Sequence, residues 1–567
     1  MIPLSRAGAI PRALLLALAS TALAGAQAPS FNLALDPGLL AARARFGAAV
    51  AMSGDTAACG APGDAVAGLD AGAAYVFLRD PMSGAFALRQ VLRPNGIEAF
   101  DRFGVGIALR GNVLAVGAQG DDDAAANAGA VWVFARPFPG ADFQFVQKLT
   151  SPQPAASDGF GASIDVDGSR IAVGAPRADV AALDAGAVFV FERSAAASTY
   201  VLDGILVDGA PGVGDALGTS VAMLGGTVLA GAERRDGPGG VGNAGAVLEF
   251  QRILPGFWTV VGSITSPAPG VDARFGAALD ATPSGPARPA TVAVGAPAAG
   301  AQQGALHVFE RTGPGGWAAV QGLGPTGLPP AGALGTAVAL DGDAIVAGAP
   351  GRSGGAGEVD VLRWQPGTGA WTLDRTASIP NPAFGDLVGA AVALSDGVPL
   401  VGIPGREISP LFVQDAGAVW ALSFLGDLPG ELVCAPGVVN SIGLPGSLLA
   451  TGSLAVADLD LTLEAGFLPP GSFSLALVSR TTSVVVQPGG SQGTLCLGGS
   501  IGRLVQLATQ AGPDGRATID VDLSSLPQPT GAVAAQVGET WWFQVWYRDV
   551  ATQVTSNYTD AVGLTFR

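Results

Sequence analysis

The stretch that decides the fold runs Phe160-Gly-Ala-Ser-Ile-Asp-Val-Asp-Gly-Ser-Arg-Ile-Ala-Val-Gly-Ala-Pro176 and resumes, after a polar loop, as Gly186-Ala-Val-Phe-Val-Phe191. Apolar residues flank Asp167-Gly168-Ser169, which supplies the positive φ that a tight hairpin turn requires, so two strands are predicted there. The Val-Phe-Val-Phe run reads as a third strand and Tyr200 to Leu206 as a fourth.

The pattern recurs at a spacing of about 57 residues. Its first mark stands at Phe46-Gly47, Phe103-Gly104, Phe160-Gly161, Leu217-Gly218, Phe275-Gly276, Leu334-Gly335 and Val388-Gly389. The second follows at Gly60-Ala-Pro62, Gly117-Ala-Gln119, Gly174-Ala-Pro176, Gly231-Ala-Glu233, Gly295-Ala-Pro297, Gly348-Ala-Pro350 and Gly402-Ile-Pro404. A third glycine, at 72, 129, 186, 245, 304, 357 and 417, opens the third strand. Seven four-stranded units in series predict an all-β chain built around a seven-bladed β-propeller, an architecture that leaves only short, protected edges. The seventh unit stops after its third strand, and Phe31 to Leu35 is expected to supply its outer strand and close the ring.

These marks resemble FG-GAP repeats, as in the amino-terminal propeller of integrin α chains. The resemblance covers roughly residues 31 to 425, and Phe31-Asn32-Leu33 looks like the start of mature integrin α chains. It implies an extracellular adhesion or ligand-binding role. Many integrin blades carry an Asp-x-Asp-x-Asp-Gly calcium loop between the first two strands. Here that connection is a tight turn in six units and a proline-rich insertion, Ala281 to Ala290, in the fifth, so calcium binding is not implied.

The period ends near Phe424-Leu-Gly-Asp-Leu-Pro-Gly430, giving a propeller over 31–427 and a second domain over 428–567. Alternating segments at Leu454 to Leu463, Ser472 to Leu477, Ser483 to Gln487, Ala517 to Leu523 and Thr540 to Tyr547 predict a smaller β-sandwich domain. Asn440-Ser-x-Gly443, Gly493-Thr-Leu-Cys-Leu-Gly498 and Thr540-Trp-Trp-Phe-Gln-Val-Trp-Tyr-Arg-Asp549 are similar to a carboxyl-terminal module of secreted bacterial repeat proteins. Residues 1–26 have the layout of a secretory signal peptide, with Arg6 and Arg12 ahead of the apolar run Ala13 to Ala24 and small residues before Gln27. An exported product is expected, extracellular, at the cell surface or periplasmic, with no membrane span in the mature chain.

Composition excludes other classes. The 567 residues hold 85 glycines and 41 prolines, which rules out long regular helices, and a net charge of −17 argues against nucleic acid. No cofactor is expected. One histidine, His307, and three cysteines leave little material for a zinc site or a histidine-based catalytic triad, and the sister positions of His307 are usually bulky, so it is expected to pack rather than catalyse. Asp121-Asp122-Asp123 is the densest acidic run and the candidate for a divalent cation, set against a plain solvated loop. Asp70, Asn127, Asp184, Asn243 and Asp415, each just before Ala-Gly, read as turn devices because they recur with the repeat. Trp541, Trp542 and Trp546 read as a core strand or, alternatively, a sugar-stacking platform.

Cys59 occupies a buried apolar slot, whereas Cys434 and Cys496 share the second domain of an exported chain and are expected to form a disulfide. Loops after Gly-Ala-Pro and before Phe-Gly share one face. They carry acids including Asp64, Asp101, Asp121, Asp122, Asp123, Asp158, Asp184, Asp215, Asp236 and Asp272, so a cationic partner or divalent ion is expected there, set against acidity kept for solubility alone. The functional expectation is a non-enzymatic protein engaging an extracellular protein or glycan. The alternatives are a polysaccharide-active enzyme or lectin, and a structural surface component.

Overall fold

The computed structural model describes residues 31–566 apart from 36, 38–39, 41, 80–85, 195–198, 285–287, 325–331, 366–367, 380–381, 396, 408–414, 423–430, 434–437, 439, 442–445, 453–455, 457–460, 467, 470, 513–516, 530 and 551–553. Seven four-stranded antiparallel sheets follow one another along the chain, and the architecture is a β-propeller. In the third sheet Ser163–Asp167, Arg170–Ala175, Ala187–Arg193 and Tyr200–Leu206 lie side by side in chain order. Asp167 pairs with Arg170 around Gly168, whose φ is 55°. Second strands such as Thr56–Ala61, Val113–Ala118 and Thr227–Ala232 are buried along their whole length, because neighbouring sheets cover both faces. They therefore read as unbroken apolar runs rather than alternations. Fourth strands such as Phe86–Leu92 are partly exposed at the rim.

The three sequence marks are one contact, repeated around the ring. The amide of each mark-one residue donates to the carbonyl just before the third glycine of the preceding unit: Phe103 to Ala71, Phe160 to Ala128, Leu217 to Ala185. The next amide turns back to its own unit, as Gly161 donates to Gly174. The glycine of Gly-Ala-Pro faces the mark-one glycine of the following unit so closely that a Cβ on Gly60 would lie 1.9 Å from the Gly104 oxygen, and one on Gly174 2.0 Å from that of Gly218. No side chain fits there. Mark-one phenylalanines fill the space between sheets: Phe46, Phe103, Phe160 and Phe275 are fully buried, and the Phe160 ring lies 5.4 Å from that of Phe189.

The same contact joins the last unit to the first. Phe46 donates to Ala416, and a Cβ on Gly402 would meet the Gly47 oxygen at 2.1 Å. Phe31–Ala34 pairs antiparallel with Ala418–Leu422 and supplies the outer strand of the seventh sheet.

Beyond the ring, a sheet containing Glu431–Val433, Val554–Thr565, Thr540–Val550 and Phe473–Ser479 faces a three-stranded sheet of Ser447–Gly452, Leu461–Gly466 and Ala517–Val521. Trp541, Phe543, Val545 and Tyr547 from the first share a core with Leu463 and Ile519 from the second. Ser447–Gly452 and Leu461–Gly466 pair from Ser447 opposite Gly466 to Gly452 opposite Leu461, and most of the strand expected over 454–463 before Leu461 lies outside the described residues.

Candidate functional site

Each unit runs up its second strand and down its third, so the loops after Gly-Ala-Pro and those before Phe-Gly meet on one face. Their shape depends on left-handed backbone. Asp70, Asn127, Asp184, Asn243 and Asp415 have φ between 49° and 51°, the conformation that Asp and Asn tolerate best after glycine. The residue before mark one is also left-handed in every unit, including Arg45, Arg102 and Arg274 at 53–58°.

Half the acids expected to charge this face turn inward. Asp64, Asp101, Asp121, Asp158 and Asp215 are buried, while Asp122, Asp123, Asp184, Asp236 and Asp272 are exposed. Asp101, Asp158 and Asp215 each accept the backbone N–H three residues upstream, from Glu98, Ala155 and Gly212 at 2.7–2.8 Å, and so shape the loop rather than its surface. Burial pushes the Asp101 carboxyl up to about 6. Asp64 accepts from Arg93 at 2.7 Å and from the Tyr75 hydroxyl at 2.8 Å. Burial raises its pKa, but those two partners outweigh burial and hold it below the usual carboxylate range.

The acidic run is likewise spoken for. The ammonium of Lys148 lies 2.6 Å from Asp121 and 2.5 Å from Asp123, with its Nζ 4.3 Å from the Trp132 ring centroid. The chain's single lysine thus sits between the carboxylates considered for a cation. No group of three potential metal ligands occurs among the described residues.

His307 is buried between Phe275 and Phe309, with ring centroids 5.6 and 6.5 Å away, and burial lowers its pKa to about 4. Cys59 is a buried free thiol, pushed far up by burial. Cys496 is buried against the second domain, and Cys434 lies outside the described residues, as do residues 1–26. Trp541 points into the core shared by the two sheets, whereas Trp542 and Trp546 are half-buried on the other side of their strand. A single platform of all three is therefore excluded.

Two features had no warning in the sequence. On the inner strands, Asp165 accepts its neighbour Val166 N–H and the Met223 N–H of the next unit; Asp280 does the same with Ala281 and Leu340. Burial raises them to about 6 and about 7. The other five units carry alanine at that position, at 51, 108, 222, 339 and 393.

The second feature is a cleft of about 450 Å³ on the loop face, at the junction of units seven, one and two. Arg43, Arg45, Arg102, Gln119, Asp70 and Asp415 line it, and none of these side chains makes a hydrogen bond or ion pair with another described residue. A second cleft, about 630 Å³, lies on the same face between units four, five and six. There Arg274 is paired with Glu233 at 2.6 Å.

The FG-GAP repeat family matches residues 40–77, 87–134 and 143–191, which are units one to three. The chain carries FG-GAP repeats. No curated protein matches it. Among solved structures, Saccharomyces cerevisiae Sqt1 is similar over 77% of this chain and 96% of its own, at 11% identity and a TM-score of 0.38. The Pseudomonas aeruginosa periplasmic gluconolactonase PpgL is similar over 59% and 86%, at 14% identity and a TM-score of 0.40.

Proposed function

We propose that this FG-GAP propeller is an exported, non-enzymatic binding protein that engages an extracellular partner through the loop face. The carrying observation is the cleft between units seven, one and two, where six polar side chains have no hydrogen-bond or ion-pair partner among the described residues. Polar groups left unmatched around a concavity are held ready for a ligand's complementary groups. The ring beneath is rigid, since glycine contacts lock each blade to the next, and loops on such a scaffold are where recognition is built. Packing of the one histidine between aromatic rings supports a non-enzymatic role, and the signal-peptide layout supports export.

The test is a screen of the purified full chain against immobilised glycans and extracellular proteins. The reading predicts a ligand whose retention falls when Arg102 becomes Ala and is unchanged when Asp55, in a turn of the opposite face, becomes Ser. Retention of nothing, or turnover of a screened glycan, would contradict it.

A further inference from the structure

The position after Gly-Ala faces the residue before mark one in the following unit. Glu233 meets Arg274 there, and a Cβ on Gly159 would lie 2.8 Å from the Gln119 side chain. Seven such junctions exist, and three present an arginine: Arg45, Arg102 and Arg274. Among the described residues, only Arg274 of the three is met by a carboxylate. Arg102 follows a unit with Pro62 in that position, and Arg45 follows one with Pro404, so neither is neutralised across its junction. Arg43 adds a third guanidinium; the same position holds Phe100, Ser157, Gly214, Asp272 and Gly385 in other units. The cleft thus gathers three guanidiniums that pair with no described residue, against two carboxylates, Asp70 and Asp415, within a chain of net charge −17. Its local charge opposes that of the molecule.

We propose that this cleft binds an acidic saccharide. Arg43, Arg45 and Arg102 take its carboxylate or sulfate group, and Asp70, Asp415 and Gln119 take its hydroxyls. The proposal rests on the loop face being the binding face and assigns its ligand. Guanidinium forks match planar carboxylate and sulfate oxygens in pairs, which favours an anion. The carboxylate oxygens of Asp70 and Asp415 accept hydrogen bonds, so the ligand must bring donors as well as charge. An acidic sugar offers both, whereas an acidic peptide side chain brings charge without hydroxyls.

The test is calorimetric titration of the full chain with polygalacturonate oligomers, heparin oligosaccharides, neutral maltooligosaccharides and polyglutamate. The uronate and heparin arms separate carboxylate from sulfate recognition. At least one acidic saccharide should bind, more weakly as salt rises. Arg45→Gln with Arg102→Gln should weaken it by about tenfold or more, the loss of charge-assisted bonds. Pro62→Glu, which copies the residue that unit four tolerates, should weaken it comparably by pairing Arg102. Arg274→Gln should change nothing. Melting temperatures near wild type show that the variants fold. Binding at the wild-type level by both the double variant and Pro62→Glu, polyglutamate bound as tightly as the sugars, or retention of neutral glycans alone would overturn the assignment while leaving a binding face in place. Binding of no screened glycan or protein would overturn both.

Discussion

Gly117→Ala puts one methyl group where the account allows none. Its Cβ would lie 2.2 Å from the Gly161 carbonyl oxygen, and ordinary contact begins at 3.4 Å, so the backbones of units two and three must part by roughly 1 Å. That carbonyl belongs to a residue whose own amide is held by Gly174, and the neighbouring Phe160 amide by Ala128, so neither side yields without breaking seam hydrogen bonds. A gap of that size forfeits a quarter to a half of the dispersion energy across the contact. Overpacking of this kind costs on the order of 3 kcal/mol. Gly111→Ala in the same unit is the control. Its φ is 58°, but nothing lies within 4 Å of the added Cβ, so only left-handed strain is paid, about 1 kcal/mol. Urea unfolding followed by tryptophan fluorescence should show a first transition clearly earlier for Gly117→Ala than for Gly111→Ala. Equal midpoints would refute the claim that the glycines of Gly-Ala-Pro are there to let blades touch.

Lys148→Met should destabilise the ring by about 3 kcal/mol in the same assay, because Asp121, 1% exposed, would be left charged and unpaired. Thiol counting on unreduced, denatured protein should find one free cysteine, Cys59, with Cys434 and Cys496 bridged; three would contradict the disulfide. His307, lowered to about 4, contributes stability that is present above its unfolded value near 6.5 and lost as pH falls toward 4. His307→Tyr, the residue of unit one, should therefore help more at pH 5 than at pH 7.5. Asp280, raised to about 7, has the opposite sign: its contribution is full below about 4 and lost as pH rises through 7, so Asp280→Ala should help more at pH 7.5 than at pH 5.

The repeat was legible because three marks recur in order, and the turns because Gly and Asp announce positive φ. What the marks are for was not legible. Gly60 and Gly104 are far apart in sequence, and only the ring brings one against the carbonyl of the other. The acids were visible as charges but not as partners: Lys148 reaches Asp121 because the fourth strand of its unit returns beside the loop after the second. Asp101 and Asp158 look like surface charges until the loop folds back and their carboxylates cap its own amides. The Arg-lined cleft was hidden most deeply, since Asp415 joins Arg43 and Arg45 only once the last unit abuts the first. In the second domain, alternation at Thr540 to Tyr547 marked a strand with two faces but could not say that both faces are covered, one by the opposite sheet and one by the layer containing Cys496.

Closure of the seven units into one ring is the claim on which the cleft and the loop face depend. Ala34 stands opposite Trp420 in the register that joins the first strand to the last unit. Directly opposed residues of an antiparallel pair sit within the Cα separation that a disulfide spans. With Cys59 changed to Ser, Ala34→Cys and Trp420→Cys should bridge under mild oxidation, leaving no free thiol and raising the melting temperature. Two persistent free thiols in folded protein would contradict the closed ring.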